Sequence, residues 1–241
     1  MKLDPHIHSC YSRDTKSRPE DIIKKARKIG LNIIAISDHD SVKGSKLGIN
    51  LSKDINEVFV VPSIEISSNE GHILGFGVDS VISKGLTPEE TVDKIHDEGG
   101  IAIIPHPFSF YRNGSFFNNK KTLKNLVKNN SNNYDKYKKN NKITSIEGVE
   151  VLNARYIIGY SNYRANKLAA KHDLAKIGSS DSHFIESIGN CYTELVCIDN
   201  KPNVDDIIEA IRSKKTIAKG NKTSNYLIAK EIFNKKIKGS Y

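Results

Sequence analysis

The chain has 241 residues, of which 37% are hydrophobic, and its formal net charge is +9. This length fits one large α/β domain with a buried core, and every apolar run is shorter than the roughly 18 residues of a membrane span. No apolar leader follows Met1 and the three cysteines show no paired spacing, so we expect a cytoplasmic protein without disulfides or a membrane partner.

The first hundred residues alternate apolar runs with helical patterns. Continuous apolar runs predict strands buried on both faces, at Leu3–His8, Leu31–Ile36, Val58–Ile64 and Ile73–Val78. Helices are predicted between Ser17 and Gly30, over Val42–Lys53 and over Thr87–Glu98. Two of these begin with capping-box spacing, Ser17 with Glu20 and Thr87 with Glu90, and each has a proline in its first turn.

The second half continues this alternation after an interruption. Strands are predicted at Ile101–Ile104, Gly148–Leu152, Ala175–Gly178, Thr193–Ile198 and Thr216–Lys219, and helices at Asn162–Lys171 and Val204–Ser213. Short apolar strands that alternate with helices are typical of repeated βα units and a parallel sheet. We therefore predict one α/β domain over residues 1–220, followed by a basic, helical tail over residues 221–241.

The interruption is a polar insertion over residues 108–146, rich in Lys and Asn. Residues 111–142 hold nine basic side chains against one acidic one, Asp135, and so carry +8 of the net +9. Apolar periodicity is limited to Leu123, Leu126 and Val127. We interpret most of the segment as a solvated insertion. The alternative is a basic flap beside the active-site mouth, which would attract a phosphate-bearing ligand or nucleic acid.

Six of the eight histidines lie at or beside predicted strand ends: His6, His8, His39, His72, His106 and His183. Glu65 and Asp181 occupy the same kind of position. The other two, His96 and His172, fall in the last turns of predicted helices, where an exposed cationic or capping role is expected.

This placement of the histidines predicts a polynuclear metal centre. His6 and His8 point to the same face if their stretch is extended, because strand side chains alternate. The carboxyl ends of strands in a βα barrel meet at one rim, so residues spread along the chain would converge there. Imidazole and carboxylate are ligands that zinc, manganese and iron accept.

The motifs together resemble the polymerase-and-histidinol-phosphatase (PHP) family, and more narrowly its small stand-alone phosphoesterase-like members. The matching motifs are His6-x-His8, Ser37-Asp38-His39-Asp40, Ile64-Glu65-Ile66, His106-Pro107 and Ser180-Asp181-Ser182-His183. The resemblance covers nearly the whole chain in order, apart from the insertion and the tail. It implies a distorted (β/α)7 barrel that holds two or three divalent metal ions (Zn, Mn or Fe) and hydrolyses phosphate esters.

The resemblance also implies a ligand set. His6, His8, Glu65 and Asp181 would hold one ion; Glu65 would bridge to a second, held also by His72 and His106; and Asp14, His39 and His183 would hold a third. Some family members have His where this chain has Asp14, whose alternative role is a hydrogen bond in its loop.

The mechanism expected from such a site uses a water that bridges two ions and becomes the nucleophile. Asp181, His183 or His39 would protonate the leaving oxygen, and the sequence leaves the choice open. Arg155 is a candidate phosphate clamp, with an ordinary surface ion pair as the alternative. Asp38 and Asp40 would either orient His39 or cap the following helix.

The leading functional hypothesis is a metal-dependent phosphoesterase that acts on a phosphomonoester, a nucleotide or a nucleic-acid end. The alternatives are a histidinol-phosphate phosphatase and an RNA-binding PHP-like module without catalysis. A scaffold would be expected to lose ligands, whereas this chain keeps them. The insertion has few aromatics and no known RNA motif, which disfavours specific RNA binding. We predict a small phosphorylated substrate and no obligate protein partner.

Overall fold

A computed structural model of the chain describes residues 1–53, 57–109, 115–116, 119–128, 145–156, 159–199 and 201–230. The strands are β1 (Lys2–Ile7), β2 (Ile33–Ile36), β3 (Phe59–Val61), β4 (Ser63–Ser67), β5 (His72–Phe76), β6 (Ile101–Ile104), β7 (Gly148–Asn153), β8 (Ala175–Ser179), β9 (Cys191–Leu195) and β10 (Thr216–Gly220). The α-helices are α1 (Pro19–Lys28), α2 (Lys43–Ser52), α3 (Pro88–Asp97), α4 (Lys120–Lys128), α5 (Tyr160–Lys171) and α6 (Val204–Arg212). None of the helices in these ranges has both the length and the apolar character that crossing a bilayer requires.

The strands form two mixed sheets, which confirms the α/β class. The first sheet has the order β10-β9-β1-β2-β3, with β1, β2 and β3 parallel and β9 antiparallel to both of its neighbours. The second has the order β4-β5-β6-β7-β8, with β5 antiparallel to both of its neighbours and the last three strands parallel. The prediction of repeated βα units with an entirely parallel sheet is therefore wrong.

The expected (β/α)7 barrel is not observed as a closed barrel in the described residues. There, isolated bridges join the two sheets, one between Ile7 and Ser182 and one between His39 and Glu65. Pro62 has no backbone N–H and separates β3 from β4, so the single strand predicted over Val58–Ile64 is two strands. A tight turn then leads from β4 into β5 without a helix, which makes the two strands an antiparallel pair.

Of the two predicted capping boxes, the one at the start of α3 is present and the one at the start of α1 is not. The predicted capping box of α3 is confirmed, because Thr87 Oγ1 accepts from the backbone N–H of Glu90, 3.2 Å away, and the Glu90 carboxylate accepts in return. The box predicted at Ser17 is wrong: the N-cap of α1 is Arg18, which makes no side-chain cap bond. Ser17 Oγ instead accepts from the Thr15 hydroxyl at 3.2 Å.

The described part of the insertion is only partly solvated: Lys120, Lys121 and Lys124 are exposed, whereas Phe116 and the apolar face of α4 pack on the core. Phe116 is fully buried, and the apolar side chains of α4 join the same core cluster as β4 and β5. Asn119 Nδ2 donates to the Glu70 carbonyl at 2.9 Å. This contact ties the insertion to the turn before His72. Residues 110–114, 117–118 and 129–144 of the insertion lie outside the described ranges, as does most of the predicted flap.

The C-terminal part follows the predicted order with shifted bounds. β9 begins two residues earlier than predicted, and α6 matches its predicted range closely. α6 also begins with a capping box that the sequence analysis did not single out, in which Asn203 Oδ1 accepts from the N–H of Asp206 at 2.9 Å. Residues 221–224, the start of the predicted helical tail, are not helical, whereas residues 225–230 are. Residues 231–241 lie outside the described ranges.

Candidate metal centre

Four side chains from three strands meet at the first predicted metal position: His6 and His8 from the end of β1, Glu65 from β4, and Asp181 from just after β8. The Nε2 atoms of His6 and His8 lie 3.0 Å apart, and each is 3.3 Å from Oε2 of Glu65. Asp181 Oδ1 is 3.7 Å from His8 Nε2 and 4.0 Å from His6 Nε2. All four residues are buried. The expectation that the two histidines of the first strand face the same way is confirmed.

The other oxygen of Glu65 faces the second predicted position. Glu65 Oε1 lies 3.0 Å from His72 Nδ1 and 3.2 Å from His106 Nε2. His39, assigned to the third position alone, also reaches this carboxylate, with Nδ1 3.1 Å from Glu65 Oε2. Glu65 is thus placed between two sets of imidazoles, as a bridging carboxylate would be.

Two of the three side chains at the third predicted position, Asp14 and His39, lie nearer to solvent, whereas His183 is buried. Asp14 Oδ2 lies 2.6 Å from His183 Nε2 and 3.8 Å from His39 Nε2. The ring of His8 lies between those of His39 and His183, with centroid distances of 4.7 and 4.2 Å.

The structure therefore brings all nine predicted metal-site residues into one connected cluster. Three groups have potential ligand atoms within 4.8 Å of one another: His8, Asp14, His39 and His183; His6, His8 and Asp181; and His39, Glu65 and His72. His106 joins the cluster through Glu65.

The donor set fits a bound cation. His6 Nδ1 lies 2.8 Å from Oε1 of the buried Glu150, an acceptor, so Nδ1 carries the proton in the neutral ring. The Nε2 lone pair then faces His8 Nε2 and the Glu65 carboxylate. A metal ion satisfies such converging lone pairs, and a carboxylate behind the histidine is the usual support of a metal ligand.

Burial and charge set the protonation of the cluster. Burial alone would raise the pKa of Glu65, but the imidazoles of His39, His6 and their neighbours hold it well below its ordinary value. Burial, followed by the Arg155 guanidinium and His8, lowers the pKa of His183 to about 3. His183 is therefore neutral near pH 7, the state in which imidazole binds a metal ion.

Arg155 lies inside the site, so the alternative of a surface ion pair is wrong. Its Nη1 is 3.3 Å from Asp181 Oδ1 and 2.7 Å from His183 Nδ1, and its side chain is 13% exposed. The backbone N–H of Arg155 donates to Asn153 Oδ1 at 2.9 Å, which fixes the loop after β7.

Glu150, in the middle of β7, is a residue that the sequence analysis missed. Its fully buried carboxylate lies 2.8 Å from His6 Nδ1 and accepts from His106 N at 2.9 Å, Ser179 Oγ at 2.6 Å and Asn153 Nδ2 at 2.8 Å. It thus supports two predicted ligands at once. The available signal was a carboxylate within an otherwise apolar strand, because a buried charge needs partners.

Asp4 in β1 is a second buried carboxylate that was missed. It accepts from Ser180 N at 3.0 Å and Gly189 N at 2.9 Å, and burial raises its pKa to about 6. These bonds tie the loop that carries Asp181 and His183 to the first strand.

Asp38 and Asp40 serve neither of their two predicted roles. Asp38 accepts from the backbone N–H and the hydroxyl of Ser9, both at 2.6 Å, and Asp40 accepts from Ser67 N at 2.8 Å. The N-cap of α2 is Val42. Both carboxylates therefore fasten neighbouring loops to the end of β2.

His96 and His172 lie at helix ends, as predicted. His96 Nε2 is 3.0 Å from Glu147 Oε1, and His172 is the C-cap of α5.

The centre is reached from one side. The side chains of His39, Asp14 and His72 are 28%, 26% and 16% exposed, whereas those of His8 and Glu65 are 1% exposed. A substrate would therefore approach past His39 and Asp14.

Similar proteins support this picture. The PHP-associated family model, PHP_C, matches residues 159–216. The uncharacterized protein MJ1587 of Methanocaldococcus jannaschii is 40% identical over 119 residues, which cover 45% of this chain and 69% of that protein. The uncharacterized protein MJ0417 of the same organism is 30% identical over 193 residues, or 80% of this chain and 69% of that protein. A 5'-3' exoribonuclease of Haemophilus influenzae is 32% identical over 87 residues, or 34% of this chain and 31% of the enzyme.

Solved structures share the fold. A two-domain protein from Bacteroides vulgatus, described as containing a predicted PHP-like metal-dependent phosphoesterase, superposes with a TM-score of 0.69 at 16% identity, covering 98% of this chain and 69% of that one. PsfC from Pseudomonas syringae gives a TM-score of 0.66 at 14% identity, covering 98% and 97%. With the PHP-associated segment, the relatives from M. jannaschii and the strand-end motifs in one cluster, the chain belongs to the PHP-domain family.

Proposed function

We propose that this protein is a metal-dependent phosphoesterase that hydrolyses a phosphomonoester or nucleotide-type substrate. The observation that carries the proposal is the cluster itself: side chains from strands throughout the chain converge, and Nε2 of His6 lies 3.3 Å from the Glu65 carboxylate. Ionisable groups packed this closely need a cation to balance them. The fold shared with a PHP-like protein described as a metal-dependent phosphoesterase supports a hydrolase.

The residues that would hold the ions follow from the contacts. The first set is His6, His8, Glu65 and Asp181; the second is Glu65, His72 and His106, with His39 in reach; the third is Asp14, His39 and His183. Zn, Mn or Fe would suit this mixture of nitrogen and oxygen donors. When bound, such ions neutralise charge on a phosphoryl group and activate water for attack.

The remaining chemistry belongs to the side chains around the ions. Arg155 would bind a phosphate oxygen through its guanidinium, which lies beside Asp181 and His183. Of the three candidates for protonating the leaving oxygen, His39 is the most exposed, at 28% against 3% for His183 and 1% for Asp181. That exposure supports His39 as the group that meets the leaving oxygen when the third set holds no ion, because an imidazole that binds an ion does not serve as the general acid.

A phosphatase screen tests this function. The purified protein is loaded with Mn²⁺ or Zn²⁺ and assayed on p-nitrophenyl phosphate, nucleoside monophosphates and histidinol phosphate. His8→Ala removes one nitrogen of the first set, and we expect activity to fall by at least about a hundredfold. The matched control is His172→Ala, outside the cluster, which we expect to keep its activity. Full activity in His8→Ala, or no hydrolysis by the metal-loaded wild type, would contradict the proposal.

A further inference from the structure

The turn between β4 and β5, residues 68–71, separates two predicted ligands of the same ion. Glu65 lies in the middle of β4 and has ladder pairs on both sides of it. His72 is the first residue of β5, and its pairing with Ser67 is the last before the turn. A shift of the turn would therefore displace His72 more than Glu65.

The turn is closed from within by Ser68. The backbone N–H of Ser68 donates to Gly71 O at 3.0 Å, and its Oγ accepts from Gly71 N at 3.0 Å and from Glu70 N at 3.3 Å. These local bonds give the turn its shape, but they do not join it to the rest of the protein. Contacts with other segments must therefore fix where the turn lies.

Two polar contacts fasten the turn to the insertion. Asn119 Nδ2 donates to Glu70 O at 2.9 Å, and the hydroxyl of Thr122 donates to the Glu70 carboxylate. Both the main chain and the side chain of one turn residue are thus held by the insertion. A third bond joins the turn to the loop before α3, where Asn69 N donates to Leu86 O at 2.9 Å.

An aromatic side chain of the insertion covers the last residue of the turn. Phe116 is fully buried, and its ring lies so close to Gly71 that a Cβ there would be 2.7–2.9 Å from three ring atoms. The apolar side chains of α4 are buried in the core cluster that also contains Ile73. The insertion thus packs against the turn on one side of His72 and shares the core cluster of the residue on the other side.

We propose that Phe116, Asn119 and Thr122 are positioning residues for His72, through which the insertion sets the affinity of the second predicted ion. This inference rests on the proposed metal-dependent function and assigns the insertion a role in it. The three residues act through the β4–β5 turn, not as ligands. His72 Nδ1 lies 3.0 Å from Glu65 Oε1, and a displaced turn would separate these two donors. Residues that support metal ligands typically change metal affinity by about 10–100-fold.

The proposal predicts an effect on one ion rather than on the whole centre. The first predicted ion has three ligands that lie far from the turn in the chain, His6, His8 and Asp181. Its affinity should therefore survive a shift of His72. If the insertion only stabilised the fold, loosening it would lower the free energy of unfolding without weakening one ion selectively.

Stepwise Mn²⁺ binding tests the proposal without hydrolysis. The metal-free full chain is titrated with Mn²⁺, unbound Mn²⁺ is counted by electron paramagnetic resonance, and His72→Ala identifies the step that belongs to the second ion. In Asn119→Ala/Thr122→Val we expect the affinity of that step to fall by about tenfold or more and the other steps to stay within about twofold. Thr122→Ser keeps the hydroxyl and should bind as the wild type does.

Two controls separate positioning from general stability. Ile22→Ala on α1, whose core cluster draws its described members from elements other than β4 and β5, should lower the free energy of unfolding and keep every step. In a His72→Ala background, Asn119→Ala/Thr122→Val should weaken the second ion no further, because the two changes act through the missing imidazole. Thermal unfolding checks that the variants fold, and Thr122→Val alone, which keeps the shape of the side chain, replaces a double variant that does not.

Three results would overturn the proposal. They are wild-type binding of all ions by the folded variant, equal weakening of every step, and the same further loss of affinity in the His72→Ala background. Absence of Mn²⁺ binding by the wild type would instead refute the proposed function, so the two failures are distinguishable.

Discussion

Glu150→Gln tests whether a carboxylate outside the ligand set holds the centre together. The substitution keeps the size of the side chain and removes its charge. It also places an amide N–H₂ among groups that now donate to two carboxylate oxygens: His6 Nδ1, His106 N, Ser179 Oγ and Asn153 Nδ2, at 2.6–2.9 Å. At least one of these donors loses its acceptor.

The size of the effect follows from these contacts. A hydrogen bond to a charged group contributes about 1.5–3 kcal/mol, and breaking a buried pair costs about 3–5 kcal/mol. We therefore expect the free energy of unfolding of the metal-free protein to fall by about 3 kcal/mol. Because Glu150 fixes the tautomer of His6, metal affinity should fall by about 10–100-fold.

The assay is a competitive Zn²⁺ titration against a chromophoric chelator. The matched control is Glu147→Gln, three residues earlier in the chain, whose carboxylate pairs with His96 Nε2 at 3.0 Å and Ala102 N at 2.8 Å, outside the centre. It should lose some stability and keep its metal affinity. If Glu150→Gln binds Zn²⁺ within about twofold of wild type, or if Glu147→Gln weakens binding equally, the supporting role of Glu150 is wrong.

Two further predictions concern packing and the thiols. A Cβ on Gly71 would lie 2.7–2.9 Å from three ring atoms of buried Phe116, so Gly71→Ala should lower the free energy of unfolding by about 1–3 kcal/mol in urea titrations. Gly159→Ala, whose Cβ would meet nothing within 4 Å, should change it by less than about 1 kcal/mol, and equal effects would show that the ring does not restrict Gly71. Burial raises the pKa of Cys191 to about 12, so a thiol reagent near about pH 8 should modify the two exposed cysteines in native protein and Cys191 only after unfolding. Rapid modification of all three thiols in native protein would contradict this burial.

The sequence predicted the site better than it predicted the sheet. Histidines at strand ends identified the cluster, because the carboxyl ends of neighbouring strands meet whatever the exact sheet topology is. The topology itself depended on local details that apolar runs do not report. Pro62 separates β3 from β4, and a short turn makes β5 antiparallel.

Supporting and packing residues were the hardest to find. Glu150 belongs to no motif, and its role appears only when the two sheets bring its carboxylate on β7 to His6 Nδ1 on β1. Phe116 lies in a stretch whose composition indicates solvation, yet its ring is fully buried against Gly71. Composition is an average over many residues and does not report the burial of one side chain. It therefore could not show that this part of the insertion packs beside His72.

The most direct test of the central claim is the number of metal ions that one folded chain holds. The protein is loaded with Mn²⁺ or Zn²⁺, freed of excess ion by gel filtration, and analysed by inductively coupled plasma mass spectrometry. The convergence of His6, His8, Glu65 and their neighbours predicts about two or three ions per chain. A ratio below about one in folded protein would contradict a polynuclear metal centre.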